Sequence, residues 1–338
     1  NDAADVARQR GELSGALFTA AAGYQGPGAG RPLDVVSLGT YGTLGDPSPA
    51  ALARVRGALD ALDSLDAALP RPPRRQVFLY AIDEQCQSPR AARWRQLLRA
   101  AGVDPRLLRL PVAQTCSRPP AEQPVDLALL EASALPLVSA AQAAAGPQQV
   151  WIYNGALPRT GSFLLDGGAL SLRGNAWLQA RHRIPRWFYW ESTFWNDDNR
   201  GGRGPVDPLV QAETFHNQHG DHANGDGVLV YPGQQRGPEA AAGRWRSLGF
   251  PGVLPSLRLK QWRRGVQDVG YLQLARQRGV AAPAVNAQRT PTEVQATVEE
   301  VLRQIIPADG ASQPFPRDGA TFYRARRRLF DLIVSGAP

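Results

Sequence analysis

The alternation of strand-like and helix-like segments between residues 33 and 193 is the feature that most constrains the fold. Each strand-like run is short and apolar, and the intervening segments carry apolar residues at helical spacing, as Leu52, Val55, Leu59 and Leu62 do. Repeated strand–helix–strand units form parallel sheets through crossover connections. The predicted strands cover residues 33–41, 76–82, 107–115, 125–131, 149–155 and 186–193. The pattern therefore predicts an α/β fold built on a parallel sheet.

The length and motifs narrow the choice of sheet. A chain of 338 residues can form one barrel-sized domain or two smaller ones. Neither a GxGxxG fingerprint nor a phosphate-binding loop follows any predicted strand, which argues against a nucleotide-binding sheet. A TIM-type (β/α)8 barrel needs two further strands. Because residues 1–32 hold at most one helix and a glycine-rich loop, and the chain contains no methionine, we expect an excised piece whose missing strands precede Asn1.

The predicted domain organisation follows from this barrel. Residues 1–280 are expected to form the catalytic (β/α)8 domain, and residues 281–338 a helical extension. Ser256 is expected to cap a long amphipathic helix that ends near Gly279, and two more helices are expected over 290–306 and 318–334.

Unusual polar and aromatic residues are concentrated at, or just after, the C-terminal ends of the predicted strands. In a parallel barrel the C-terminal ends of the strands share one face, and that face carries the chemistry. Scattered surface residues would not be concentrated in this way, so we predict an active face there. Its candidate residues are Tyr41, Asp83, Glu84, Tyr153, Asn154, Trp190, Glu191 and Trp195.

Asp83 and Glu84 directly follow the apolar run 77–82. Adjacent side chains on an extended chain point in opposite directions. One carboxyl can therefore stay ionised among hydrogen-bond donors while its neighbour keeps a proton in a more apolar place. Glycoside hydrolysis needs two such roles. The alternative is that the pair stabilises the N-terminus of the next helix, by about 0.3–1 kcal/mol for each carboxylate.

Aromatic residues crowd the last predicted strand and its exit. Strand alternation predicts that Trp187 and Tyr189 belong to the core. Trp190 and Trp195 offer flat apolar faces with a polar edge, which suits the C–H faces of a sugar ring.

The histidine-rich stretch that follows allows two interpretations. His216, His219 and His222 are spaced i, i+3, i+6 with Asp221 between them, which is compatible with a zinc site. The stretch is also rich in glycine and asparagine, so it is not expected to be a helix that aligns three imidazoles. We favour a folded loop without metal, from which Asp226 reaches the substrate.

The charge pattern does not favour nucleic acid as a partner. The net charge is +8, but Lys260 is the only lysine, and the densest basic cluster is Arg324, Arg326, Arg327 and Arg328. We interpret this cluster as a solvated helix face, with a phosphate-binding patch as the alternative. No run reaches the roughly 20 apolar residues that a membrane span needs.

The two cysteines also allow two interpretations. Cys86 and Cys116 each lie just past the end of a predicted strand, and the two strands are consecutive. A disulfide between the two loops would fit an extracytoplasmic enzyme. Two free thiols are the alternative.

Several stretches resemble the catalytic domain of glycoside hydrolase family 123 and the wider bacterial group that shares its C-terminal half. They are LYAIDEQ, VWIYNG, RWFYWESTFWND, NGDGVLVYPG and PSLRLKQWRRGVQDVGYLQLA, in this order within residues 33–280. The last two are the most specific. Members of this family are TIM-barrel β-N-acetylgalactosaminidases that use substrate assistance. In one respect the chain departs from the family pattern, because Gln85 stands where Pro often follows the acidic pair.

The resemblance assigns roles to individual residues. It implies that Asp83 orients the substrate's 2-acetamido group and that Glu84 acts as acid and base, with Tyr153 contacting the acetamido carbonyl and Trp190 forming the floor of the sugar site. It implies a carbohydrate substrate and no cofactor. Two further hypotheses stay open: a non-catalytic carbohydrate-binding or scaffold module with a degenerate site, and a metal-dependent hydrolase that uses the histidine loop. The sugar, the linkage and the oligomeric state are not defined by the sequence.

Overall fold

A computed structural model describes residues 2–26, 28–119, 122–135, 149–233, 249, 253–281, 290–307 and 315–335. Six parallel strands form one sheet in sequence order, as the alternating pattern predicts. They are β1 Val35–Leu38, β2 Gln76–Ile82, β3 Val112–Thr115, β4 Leu127–Glu131, β5 Gln149–Tyr153 and β6 Trp187–Phe188. The fold is therefore mixed α/β with a six-stranded parallel sheet, and closure into a complete (β/α)8 barrel stays a prediction.

The chain divides into two compact units. The first contains β1 to β3, β4 as far as Leu130, and the start of β5, while the second contains Glu131, the rest of β5 and the chain that follows β5. The helices of the first unit are α1 Ala3–Arg8, α2 Arg10–Ser14, α3 Pro49–Ala67, α4 Arg90–Ala100 and α5 Pro105–Arg109. Short 3₁₀ turns lie at Ala16–Phe18, Ala20–Ala22, Thr40–Gly42 and, in the second unit, Ala132–Ala134.

The strand register of the first unit positions its polar residues. Tyr80 of β2 pairs with Ala113 of β3, but a bulge then brings Ile82 opposite Gln114. Because side chains alternate along a strand and neighbours in register share a face, Tyr80 and Thr115 lie on one face and Gln114 on the other. Strand alternation thus separates the two polar residues of β3.

The second unit combines short antiparallel pairs with helices. Its helices are α6 Ser171–Arg181, α7 Leu257–Ala281, α8 Pro291–Ile305 and α9 Gly319–Ser335. Its short strands are β7 Asn196–Asp197, β8 Gly204–Pro205, β9 Glu213–His216, β10 His222–Asn224, β11 Val230–Pro232 and β12 Val253–Pro255, which pair as β7–β8, β9–β10 and β11–β12. The Ser256 hydroxyl accepts the Leu259 N–H at the start of α7, as the sequence predicts.

Three strand predictions were too long by more than two residues. The predicted strand 33–41 covers only Val35–Leu38, because Gly39 adopts a left-handed backbone and a 3₁₀ turn follows at Thr40–Gly42. Residues 107–109 belong to α5 instead of a strand, because the Asp104 side chain caps that helix and Pro105 occupies its first turn. The predicted strand 186–193 leaves the sheet after Phe188, where side-chain hydrogen bonds take over from strand pairing. The helix expected near residues 136–145 lies outside the described residues.

The arginine cluster of α9 is used within the protein. Arg326 forms a 2.6 Å ion pair with the buried Asp268. Arg327 and Arg328 pair with Asp331 and Glu300 near the surface. Arg327 and Arg328 therefore lie on a solvated helix face as predicted, whereas Arg326 is largely buried in an internal ion pair. Among the described helices, none has the length and apolar character needed to cross a bilayer.

Candidate active site

The candidate residues at the ends of three strands share an unusual backbone conformation. Tyr41 follows β1 with φ 57°, Glu84 follows β2 with φ 52°, and Asn154 follows β5 with φ 54°. Within the described ranges, Arg183 is the only other non-glycine residue with a positive φ. Left-handed backbone is uncommon for residues with a Cβ and is found preferentially at functional sites. The sequence pattern selects the same three positions as candidate site residues on other grounds, and their functional roles stay predictions.

Asp83 is held by two buried hydroxyl groups. The Tyr80 hydroxyl donates to Asp83 Oδ1 at 2.6 Å, and the Thr115 hydroxyl donates to the same oxygen at 2.9 Å. Both donors are buried, Tyr80 in β2 and Thr115 in β3. Two donors on one oxygen restrict the rotation of the carboxyl group. The arrangement thus orients the Asp83 carboxyl relative to β2 and β3.

Glu84 has different surroundings. Its backbone N–H donates to Thr115 Oγ1 at 2.8 Å, and its side chain is exposed. The expectation that the second carboxyl of the acidic pair lies in apolar surroundings is therefore wrong. The reason is the left-handed backbone at Glu84, which turns the chain away from the strand direction.

A disulfide bond links the segments that follow β2 and β3. Cys86 and Cys116 are bonded, with Cα atoms 5.2 Å apart, so the alternative of two free thiols is wrong. Cys86 lies two residues after Glu84, and Cys116 directly follows Thr115. The covalent link and the hydrogen bond from Glu84 to Thr115 therefore join the same two strand exits. Together they fix the backbone of the acidic pair relative to β3.

Tyr41 lies beside the same cluster. Its ring centroid is 5.9 Å from that of Tyr80, and 43% of Tyr41 is exposed. The side chain that donates to Asp83 therefore packs against an accessible aromatic ring. In the first unit the structure brings together Tyr41, Asp83 and Glu84 of the predicted site, and adds Tyr80 and Thr115.

Sequence reasoning missed Tyr80 and Thr115. Both look like ordinary strand residues, since Tyr and Thr are common in strands. Their polar groups gain significance only from the register that brings β2 and β3 together. The signal available in the sequence was position alone, because Thr115 ends β3 next to a cysteine.

In the second unit, Asp226 is engaged by its neighbours. Its Oδ1 accepts hydrogen bonds from the Tyr189 hydroxyl at 2.7 Å, the Trp190 Nε1 at 3.0 Å and the Gly227 N–H at 3.0 Å. Burial raises the pKa of Tyr189 above its ordinary value, and the nearby Asp226 carboxylate raises it further. Tyr189 therefore stays protonated and donates. These contacts hold the loop, and a role for Asp226 in reaching the substrate stays a prediction.

The other candidates after β6 also have intramolecular partners. One carboxylate oxygen of Glu191 accepts the backbone N–H groups of Ser192 and Thr193 and so organises a turn. Trp190 packs against aromatic neighbours, with its ring 4.8 Å from that of Phe194. The Trp195 Nε1 donates to the Val230 carbonyl at 3.0 Å. The indole N–H groups of Trp190 and Trp195 thus donate to acceptors within the protein. That the ring faces contact a sugar stays a prediction.

Tyr153 and Asn154 lie at the end of β5. Tyr153 is buried and stacks on Phe188 with centroids 5.5 Å apart. The Asn154 carbonyl accepts the Trp187 Nε1 at 2.7 Å, and its backbone N–H donates to Phe188. The Asn154 side-chain oxygen is buried and lacks a hydrogen-bond partner within the described part of the chain. That oxygen is a polar group without a structural role in the described contacts.

Arg258 connects the two stretches that are the most specific part of the sequence pattern. Its guanidinium is buried and donates to the carbonyls of Phe163, Gly225 and Val228. The hydrogen bonds tie the NGDG loop to the start of α7. The stretches NGDGVLVYPG and PSLRLKQW are therefore partners in one structural contact. Sequence reasoning gave Arg258 no role, although an arginine inside an apolar segment is a signal of buried hydrogen bonding.

The histidine loop is a β-hairpin. His216 of β9 lies directly opposite His222 of β10, and Glu213 approaches both side chains. His219 lies apart, exposed and in contact with Gln218. The three histidines spaced i, i+3, i+6 therefore do not form one cluster. Strand pairing brings His216 and His222 together, and Glu213 lies beside them.

No protein-family model matches the chain, and no curated protein matches it. A similar solved structure is that of a family 123 glycoside hydrolase from Clostridium perfringens, described in connection with glycolipid glycan hydrolysis. The similarity has a TM-score of 0.49 at 11% identity and covers 86% of this chain and 45% of that chain. The chain thus spans less than half the length of that enzyme.

Proposed function

We propose that the protein is a retaining glycoside hydrolase that removes a terminal β-linked N-acetylamino sugar, with N-acetylgalactosamine as the first candidate. The observation that carries the proposal is the asymmetry of the acidic pair. The Asp83 carboxyl is held by Tyr80 and Thr115, while Glu84 is exposed to solvent. Substrate-assisted hydrolysis needs one carboxylate that orients and one that exchanges a proton with the substrate. The sequence resemblance to family 123 supports the same assignment.

The proposed reaction has two steps. In the first, the acetamido oxygen of the substrate attacks the anomeric carbon, the bond to the leaving oxygen breaks, and Glu84 donates its proton to that oxygen. The positive charge that develops on the resulting oxazolinium is stabilised by Asp83 near the acetamido nitrogen. In the second step, Glu84 takes a proton from a water molecule. The oxygen of that water adds to the anomeric carbon, and the oxazoline ring opens. No protein nucleophile and no metal takes part.

The disulfide supports a proposed location. Disulfides persist in oxidising compartments and are rare in reducing ones. We therefore place the protein outside the cytoplasm, as a secreted, periplasmic or surface-attached enzyme. Measuring the redox state of Cys86 and Cys116 in the protein isolated from its native cells under thiol-trapping conditions tests this. Free thiols in that material would contradict it.

The activity is tested with chromogenic substrates. Release of nitrophenol from the β-linked N-acetylgalactosaminide and N-acetylglucosaminide is measured for the wild type, Glu84→Gln and Asp83→Asn. Loss of a general acid/base is expected to lower turnover about 10²–10⁴-fold, and Asp83→Asn is expected to reduce it as well. Glu122→Gln is the matched control, since Glu122 is exposed in the first unit outside the acidic pair.

Two further measurements separate the mechanism from its rivals. The nitrophenyl β-galactoside lacks the acetamido group, so the proposal expects no turnover of it, and a thiazoline mimic of the oxazoline should inhibit strongly. Sugar binding without turnover by folded wild type would instead favour the carbohydrate-binding module. Loss of turnover in chelator would favour the metal-dependent hydrolase.

A further inference from the structure

The β9–β10 hairpin gathers three groups that bind transition metals. One ligand atom from each of Glu213, His216 and His222 lies within 4.8 Å of the others. His216 and His222 are register partners, with ring centroids 5.2 Å apart. Residues directly opposite on antiparallel strands have Cβ atoms about 4.5–5.5 Å apart and project from the same face. The pairing of the two strands therefore sets the two imidazoles side by side.

A bulge brings the carboxylate into the group. The register shifts between Ala223 and Asn224, so Glu213 pairs with Asn224. Glu213 Oε1 then lies 2.9 Å from His216 Nδ1. Bulges redirect side chains at the edges of sheets. The third member of the group thus depends on the hairpin geometry and not on sequence spacing.

The donor set fits zinc. Two imidazole nitrogens and one carboxylate oxygen are ligands that Zn²⁺ takes at about 2.0–2.2 Å, and three protein ligands leave a fourth position for water. Mg²⁺ and Ca²⁺ prefer sites made of oxygen ligands, and this group offers one carboxylate. The three ligand atoms lie within 4.8 Å of one another, so small side-chain rotations are needed to place all of them at bonding distance from one ion. His222 can rotate in this way, since it is exposed.

The guanidinium of Arg203 lies beside two members of this group, Glu213 and His216. Its Nη1 lies 2.8 Å from Glu213 Oε1, and its Nη2 lies 3.5 Å from His216 Nε2. The side chain of Arg203 is 57% exposed, so it can move into solvent without leaving a buried charge. Exposed ion pairs of this kind contribute little to stability. Displacing the guanidinium therefore opposes metal binding only weakly.

We propose that the hairpin binds one Zn²⁺ ion through Glu213, His216 and His222, with Arg203 moving aside. The site is independent of the proposed glycosidase chemistry, which uses no metal. Its expected effect is to cross-link the two strands of the hairpin, because metal ligands on both strands are held in one coordination sphere. The site differs from the histidine triad in the sequence, because His219 takes no part.

Calorimetric titration of the full chain with zinc chloride, after removal of metal by chelator and dialysis, tests the site. One equivalent of zinc is expected for the wild type. His222→Ala and Glu213→Gln should each weaken zinc affinity by about 10-fold or more, a loss of at least roughly 1.4 kcal/mol of binding free energy. Arg203→Ala should strengthen zinc affinity, because it removes the competing cation.

His219→Ala is the matched control, since it removes an exposed imidazole of the same hairpin. It should bind zinc as the wild type does. Equal losses in His219→Ala and His222→Ala, or the absence of a one-equivalent event in the wild type, would overturn the proposal. Titration with Co²⁺ gives a second readout, because a tetrahedral site produces visible absorption. That absorption should be present in His219→Ala and absent in His222→Ala, and the reverse would also overturn the proposal.

Discussion

The Thr115 hydroxyl oxygen accepts the backbone N–H of Glu84 at 2.8 Å. The same hydroxyl donates to Asp83 Oδ1 at 2.9 Å, so one side chain of β3 contacts both members of the acidic pair. It fixes the carboxylate of the first and the backbone of the second. Thr115 is therefore a positioning residue for the proposed reaction.

Thr115→Val keeps the shape of the side chain and removes both hydrogen bonds. Losing a hydrogen bond to a charged group costs about 1.5–3 kcal/mol, so we expect kcat on the N-acetylamino sugar substrate to fall about 10- to 100-fold. KM should change less, because the proposed role of Asp83 lies in the charged intermediate. Steady-state kinetics on the chromogenic substrate measure both constants.

Thr115→Ser is the control for this variant. It restores the hydroxyl and should recover most of the wild-type kcat. If Thr115→Val keeps full activity, Thr115 does not position the pair. The free energy of unfolding, measured in urea, should fall for Thr115→Val whether or not the protein is a glycosidase, which separates the structural claim from the functional one.

Removing the Cys86–Cys116 disulfide is expected to lower both stability and activity. The bond joins residues separated by 30 positions, and closing a loop of that size is expected to contribute about 3–4 kcal/mol to the free energy of unfolding. The double variant Cys86→Ser with Cys116→Ser should therefore unfold at a lower urea concentration. Turnover should also fall, because the exits of β2 and β3 lose their covalent link.

A reducing agent supplies the control for the disulfide. Dithiothreitol should lower the free energy of unfolding of the wild type to that of the double variant. It should leave the free energy of unfolding of the double variant unchanged. A reductant effect of equal size on both proteins would show that the effect does not come from this bond.

Gln114 is expected to lower the stability of the wild type. Its side chain is fully buried in β3, and neither amide atom has a hydrogen-bond partner in the part of the chain that the structure describes. A buried polar group without a partner costs about 1–3 kcal/mol. Gln114→Met replaces it with an apolar side chain of similar length. We expect the free energy of unfolding to rise by about 1–2 kcal/mol, measured by urea denaturation.

Gln114→Glu is the matched comparison. It keeps the shape and introduces a charge into the same place, so it should destabilise the protein strongly. If Gln114→Met is instead destabilising, the amide makes a favourable interaction, and the desolvation argument fails at this position.

The strands of the sheet were predictable because they are continuous apolar runs. Residues 76–82 match β2, and the acidic pair that ends the run marks the position of a candidate site. Long helices such as α7 and α9 were predictable for a similar reason, since their apolar residues recur with a fixed period. Periodicity reports which side of an element is buried, and it does so from local sequence alone.

The contacts that assemble the candidate sites depend on residues far apart in the chain. Thr115 reaches Asp83 through strand register, and Arg258 reaches the carbonyl of Phe163 across 95 positions. Glu213 joins His222 through a hairpin bulge. None of these relations has a local period. They follow from which elements pair and in what register, and the sequence pattern leaves that open.

Asp268 joins three helices of the second unit, and its removal is expected to be severe. The carboxylate is fully buried in α7 and pairs with Arg173 of α6 at 2.7 Å and Arg326 of α9 at 2.6 Å. The Trp177 Nε1 adds a hydrogen bond. Asp268→Asn keeps the shape but leaves two positive charges without a counter-ion. Breaking a buried pair in this way costs about 3–5 kcal/mol, so the urea midpoint should fall markedly.

Asp331→Asn is the matched control for Asp268→Asn, because Asp331 pairs with Arg327 on the exposed side of α9. Exposed pairs are worth about 0–1 kcal/mol, and salt screens them. We therefore expect a small change that shrinks further in high salt, against a large and salt-insensitive loss for Asp268→Asn. Equal effects of the two substitutions would mean that the three helices are held by apolar packing, with the buried ion pairs contributing nothing measurable.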